Sequence, residues 1–374
     1  MRPLVTLAGT AFAGVLAGVL AAGDGHAQAP TLPQAPAPAV AAPAAPAPAA
    51  TPALAAPRPT LEAVRARGHL LCGVNAGFRG FSTADASGAW SGLDVDLCRA
   101  VAAAIFGDAS QVRFAAIAPE QRFAALNSGE IDVLSRNATI TYSRDVSLGV
   151  DFVGINFYEG QTFMVRRASG MTALRQLDGA TLCVASGSTE ERRVQDYFQG
   201  HNMRLTVTSF ARNADALAAY DAERCDVLTG GIGALAAQRL RLRAPDQHVI
   251  LQETISNDPQ GPAVRQGDPH WVDLVRWVLY GLIAAEAFDI TSQNVDQLRA
   301  GSRNAEVRRI LGLEGNLGPM LGLSNDWLAG AIRQVGNYGE SFERNLGAGS
   351  PLRLERGRSQ LWTRGGILFT PPFQ

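Results

Sequence analysis

A chain of 374 residues has room for two or three ordinary domains, and 47% hydrophobic with 18% charged residues is a globular composition with material for a sizeable core. A formal net charge of −1 without a long like-charge run offers nothing to nucleic acid or to an anionic membrane surface. No lysine occurs, so all 33 basic residues are arginine, which excludes a Walker A loop, a Schiff-base lysine and a Ser-Lys dyad and leaves any anion site to arginine or backbone.

The chain opens with one arginine, an apolar stretch ending near Ala22, and small-residue cleavage sites after Ala27 or Ala29. Residues 1–29 read as a secretory signal peptide, with retention as a membrane anchor the alternative. Residues 30–58 are almost wholly Ala and Pro, a stiff extended tether without a core. HLLCGVN (69–75) reads as a strand, and GLDVDLCRAVAAAIFG (92–107) as a loop feeding a helix with Leu97, Val101, Ala104 and Ile105 on one face. Asp94 and Asp96, just ahead of that helix, read as capping residues and not as a glycosidase carboxylate pair.

A weak internal repeat follows. AALNSGEIDVL (124–134) and AAYDAERCDVL (218–228) share one plan of helix end, turn and strand, each preceded by a strand, QVRFAAI and RLTVTSF. Each unit delivers a polar loop at its strand's carboxyl end, SRNATIT (135–141) and TGGIGA (229–234), the edge where open α/β sheets bind ligands. VDFVGINFYEGQTFMVRR (150–167) reads as an extended segment crossing between two lobes, TLCVASGSTEERRVQDYF (181–198) as a strand, turn and helix of the second lobe, and VILQETISNDPQGPAVRQGD (249–268) as the return crossing. The stretch from 270 to 374 is helical, Gly-punctuated and longer than a minimal lobe needs.

Within VLTGGIGALA (227–236), Gly231, Gly233 and Ala236 fit G-x-G-x-x-G/A, and Glu253 falls near the spacing of a ribose-binding acid. Export weighs against a dinucleotide, because a chain unfolded for secretion cannot carry NAD through; no cofactor is expected. His26, His69, His201, His248 and His270 show no ligand spacing, so no metal is expected either. Cys72, Cys98, Cys183 and Cys225 form no C-x-x-C pair; two local disulfides, 72 with 98 and 183 with 225, stand against four free thiols.

The runs GLDVDLCRAVAAAI, SRNATITYSRD, SGSTEE and NYGESFERNLGAGSPLRLERG resemble the solute-binding proteins of bacterial polar amino-acid ABC uptake systems (family 3), most of all the general L-amino-acid binding type. The resemblance spans 59–374. It implies an α/β, two-lobed type II periplasmic binding protein fold, each lobe a mostly parallel sheet flanked by helices, with two crossing strands as hinge. Lobe I would comprise 59–160, lobe II 161–262, and 263–374 would return to lobe I with a helical C-terminal extension. The expected protein is a periplasmic monomer that closes on one amino acid or related carboxylate and docks on a membrane permease; it is not an enzyme. An exported dehydratase or lyase on the same fold, with Glu190 or Tyr142 as acid-base group, is the alternative.

The same resemblance implies the site. Arg144 stands where the family holds the ligand carboxylate, a task suited to a bidentate guanidinium; a surface ion pair with Asp145 is its bland alternative. Asn137 and Thr139 fall at short polar contacts, Arg136 at either a ligand or a lobe-lobe contact, and Asn75 and Phe78 at a polar contact and an apolar floor. Ser188 and Thr189 precede a helix and could hold the second carboxylate oxygen, cap the helix, or both. Gly231 falls where the family carries the aspartate that binds the ligand's α-ammonium. Either another acid substitutes, Glu190 being the nearest in sequence, or the ligand is no ordinary α-amino acid. The expectation from Gly231 alone is weak binding of common amino acids and better binding of carboxylates whose amine is neutral, displaced or substituted.

Overall fold

A computed structural model describes residues 58–374 except Ala76, Pro119, Glu120 and Gly187. The signal peptide and all but the last residue of the tether lie outside the described residues.

The chain enters through α1 (Pro59–Arg67), whose C-terminus turns on Gly68 at φ +78, and continues into the apolar strand β1 (Leu70–Val74). A short hairpin, β2 (Thr83–Ala84) and β3 (Trp90–Ser91), precedes the Ala-rich α2 (Leu93–Phe106), nearly all of it buried. Then come β4 (Val112–Ala116), α3 (Arg122–Ser128), β5 (Val133–Leu134), α4 (Tyr142–Ser147) and β6 (Val150–Phe152). After β7 (Phe157–Glu159) a second set follows: β8 (Gln161–Arg166), β9 (Thr181–Ala185), α5 (Thr189–Gly200), β10 (Thr206–Phe210), α6 (Asn213–Asp221), β11 (Val227–Gly231), α7 (Ile232–Arg239) and β12 (His248–Ile250). The chain returns through β13 (Asp258–Gln260) to β14 (Ala263–Arg265) and the long α8 (Pro269–Ala287).

Two five-stranded sheets result, ordered β4-β1-β5-β14-β6 and β10-β9-β11-β8-β12. They share a plan. Three parallel strands in each are followed by one antiparallel strand, β14 in the first sheet and β8 in the second. In both cases that strand is the one arriving directly from a crossing segment. The crossings themselves pair as an antiparallel ribbon, Glu159 opposite Asp258 and Phe157 opposite Gln260, so these four side chains share one face. A disulfide links Cys72 on β1 to Cys98 on α2, and another links Cys183 on β9 to Cys225 just before β11.

Asp94 and Asp96 do not cap α2. Its cap position is Gly92, at φ +135, with no side-chain acceptor. Both carboxylates turn inward: Asp96 accepts from Ser341 Oγ (2.6 Å), Arg344 Nη2 (2.6 Å) and Asn345 Nδ2 (2.7 Å), fastening the C-terminal region to lobe I. That region contains α9 (Val295–Gly301), α10 (Ala305–Ile310), α11 (Leu317–Met320), α12 (Trp327–Val335) and α13 (Tyr338–Asn345), where helical structure stops. Residues 346–374, expected to be helical, form a tail with only two single-turn 3-10 segments, held by buried Leu352, Leu361, Leu368 and Phe373. Gly- and Pro-rich sequence (GAGSPLR, TPPF) supports no continuous helix there.

Candidate ligand-binding cleft

The loop after β5 is positioned by Asp94. This buried carboxylate accepts from the Asn137 backbone N–H (3.0 Å), Ser135 Oγ (3.3 Å) and Asn156 Nδ2 (3.2 Å), joining the loop to the first crossing segment. Burial pushes its pKa up to about 6 against those hydrogen bonds and the positive charge of Arg136. Asn137 adopts φ +42, a left-handed geometry that Asn tolerates, and its Oδ1 accepts from Asn75 Nδ2 (3.2 Å). Downstream the loop zips onto β13: Thr139 bridges Gln260, and Ile140 N–H donates to Pro259 O (2.8 Å).

Arg144 lies in the first turn of α4, whose N-cap Thr141 accepts from its backbone N–H. It forms no ion pair with Asp145. Its Nη1 donates to Thr139 O (2.7 Å), and its guanidinium lies 5.9 Å from the Phe123 ring centroid. Among the described residues no carboxylate comes within 4 Å of it, so most of its five donors remain available to a ligand. Half-burial lowers its pKa, with Asp258 pulling the other way. Phe78 stacks on the buried Phe81 (4.6 Å, 7°), and Phe81 meets the buried Phe157 edge-on (5.1 Å), an aromatic row that joins Phe78 to the crossing ribbon.

From lobe II, Ser188 caps α5: its Oγ accepts from Glu191 N–H (3.1 Å) and donates to Ala185 O (2.7 Å). Its hydroxyl is therefore committed locally. Thr189 opens the same helix, and its side chain lies outside the described residues. Tyr142, one of the two acid-base candidates, is 85% exposed at the solvent end of α4.

Gly231 has φ −65 and ψ 149, extended backbone open to any residue. What a larger residue would meet here is the Glu159 side chain: a Cβ at 231 would sit 2.8 Å from Glu159 Oε1, so the carboxylate would have to shift. A Cβ at Gly233 would in turn meet the Phe81 ring at 2.9 Å, so lobe I packs directly against the start of α7. Glu159 Oε1 accepts the Gly233 N–H (2.8 Å) and its Oε2 accepts from Gln260 Nε2 (3.2 Å). The helix start that resembled a phosphate-binding turn thus holds the protein's own carboxylate. Glu253, the apparent ribose acid, accepts the Leu174 N–H (2.8 Å).

Sequence reasoning missed Glu159, Asp258 and Gln260. The available signal was strand parity in the two crossing segments, but their register shows only once they are paired. Asp258 is already neutralised by Arg193 Nη1 (3.0 Å) and accepts from Ser256 Oγ (2.6 Å). Between lobe II and the tail lies a cavity of about 400 Å³, lined by Tyr158 and Glu159 of the ribbon, by Arg239, His248 and Gln252 of lobe II and by Arg353 and Arg358 of the tail.

Residues 70–294 match the model of the bacterial extracellular solute-binding proteins, family 3. The chain belongs to that family. It is 50% identical over 322 residues to the general L-amino acid-binding periplasmic protein AapJ of Rhizobium johnstonii, covering 86% of this chain and 94% of the relative. It is 46% identical to the glutamate/glutamine/aspartate/asparagine-binding protein BztA of Rhodobacter capsulatus, covering 86% and 95%. A periplasmic binding protein from Brucella ovis, solved with glutathione bound, superposes with TM-score 0.76 at 48% identity over 84% of this chain and 99% of its own. The two sheets and paired crossings of this family 3 protein are the type II periplasmic binding fold. The named relatives are amino-acid-binding proteins, and neither they nor the exposed Tyr142 favour a lyase.

Proposed function

We propose that this family 3 protein is the substrate-binding component of an ABC uptake transporter for amino acids, exported to the periplasm by residues 1–29 and acting there as a monomer that delivers one ligand to a membrane permease. The observation that carries the reading is Arg144: a half-buried guanidinium at the mouth of the SRNATIT loop, oriented by Thr139 O and left without a carboxylate partner. Thr139, Asn137 and Asn75 flank it with polar groups, Phe78, backed by the buried Phe81, supplies an apolar wall, and the N-terminus of α5 at Ser188 and Thr189 faces a ligand carboxylate from the other lobe. AapJ and BztA, named as amino-acid binders, support the same class.

Titration calorimetry tests this. The twenty L-amino acids are screened against the mature protein, and Arg144→Ala is measured with the tightest binder. Truncating one partner of a buried charge pair should weaken binding by about 2–5 kcal/mol, roughly 30-fold to several thousand-fold. Wild-type affinity in a folded variant would place the carboxylate elsewhere.

A further inference from the structure

We propose that Glu159, carried on the first crossing strand and packed against Gly231, is the anionic group that binds a cationic amine on the ligand. This rests on the amino-acid reading above and names the chemistry at the opposite end of the same cleft.

Four observations converge. Glu159 is 7% exposed and, among the described residues, has no cationic partner within 4 Å; its two donors, Gly233 N–H and Gln260 Nε2, are neutral. A buried carboxylate is costly unless a positive charge accompanies it. Its surroundings are acceptor-rich: Gln260 Oε1 and Gln161 Oε1, on side chains 5% and 1% exposed, are buried without a donor. Gln161 pairs with Gly231 across the ladder while its Nε2 donates to Thr229 Oγ1 (3.0 Å) and Glu190 O (2.8 Å). An unfilled acceptor on Gln260, whose amide also holds the unpaired carboxylate, and a second on Gln161, the ladder partner of Gly231, fit a group that carries one positive charge and several N–H donors, which is an ammonium. Asp258 does not compete, because Arg193 already holds it. Gly231 and Glu159 are then a matched pair: the glycine's backbone would accept a side chain, but the space is taken by the carboxylate opposite. Burial, with Asp258 and Glu190 nearby, raises the Glu159 pKa to about 7, the direction expected of a buried carboxylate without a cationic neighbour.

The structure therefore selects one branch of the choice that Gly231 left open. The acid has moved from the second-lobe loop to the hinge, and it is Glu159, not Glu190, whose carboxylate adjoins the glycine.

The test uses the mature protein and a panel of the twenty L-amino acids with their α-keto and N-acetyl counterparts, by thermal shift and then calorimetry. Wild type should bind free-amine ligands and reject the matched keto and N-acetyl acids. Glu159→Gln, which keeps shape and removes charge, should lose roughly 10- to 1,000-fold in affinity for the best amino acid. Gly231→Asp alone should gain nothing, whereas Gly231→Asp combined with Glu159→Ala should return to within about tenfold of wild type. Unchanged affinity in folded Glu159→Gln, or preference for keto or N-acetyl acids, would overturn the assignment while leaving the binding function standing. Silence of wild type across the whole panel would overturn both.

Discussion

Two buried carboxylates give the cleft a pH dependence whose sign can be worked out. Burial first, then Asp258 and Glu190, raises Glu159 to about 7, and burial raises Asp94 to about 6. Both folded-state values exceed those of an unfolded chain, so the folded protein holds extra protons between about pH 4 and 7 and its stability declines as pH rises through that window. Affinity for an ammonium ligand runs the other way, because Glu159 must be ionised to pair with it. Calorimetry from pH 8 to 5 should show affinity falling below about pH 7, approaching tenfold per unit, and Glu159→Gln should remove most of that slope. An identical slope in the variant would assign the proton to another group. Arg144, Thr139 and Asn137 could be proposed from the sequence because one contiguous run carries them. Glu159 was not, since its importance comes from facing Gln260 and Gly233, far away in the chain. Asp94 and Asp96 were misread for a related reason: their position before a helix suggested capping, and only the fold brings Ser135, Asn156 and Ser341 to them.

At the scale of elements, the two similar segments became α3 with β5 and α6 with β11, and each ends at one of the two loops proposed to line the cleft. Strand order was beyond the sequence, because β14 and β8 insert beside β5 and β11 only after the chain has crossed between lobes. The disulfides staple one strand to a neighbour in each lobe, closing loops with sequence separations of 26 and 42. Loop-closure entropy assigns them about 3.5 and 4 kcal/mol respectively. Cys183→Ala with Cys225→Ala should therefore shift the denaturant midpoint by the equivalent of about 4 kcal/mol, while leaving the Arg144 region of lobe I able to bind. A midpoint within error of wild type would mean that the bond constrains little in the unfolded chain.

Residues 58–374 form two lobes joined by a two-stranded ribbon, and ligand should draw them together: scattering with and without the cognate amino acid is expected to show a smaller radius of gyration on binding, and an unchanged profile at saturation would speak against closure. The tail makes this more than a simple clamshell. It is anchored on lobe I by the Arg356 guanidinium forked onto Glu286 (3.0 Å to each oxygen), receives the Tyr158 N–H at Ser359 Oγ (2.9 Å), and takes a hydrogen bond from Arg239 of lobe II at Leu352 O (2.9 Å). A door that opens at the front must swing inward at the back. The 400 Å³ cavity beside the Arg239 to Leu352 contact is therefore the clearance of a doorstop. Gln252, exposed on that cavity, is the place to wedge it. Gln252→Trp should narrow the scattering difference between free and bound protein and tighten ligand binding a few-fold, by penalising the open form that competes with closure.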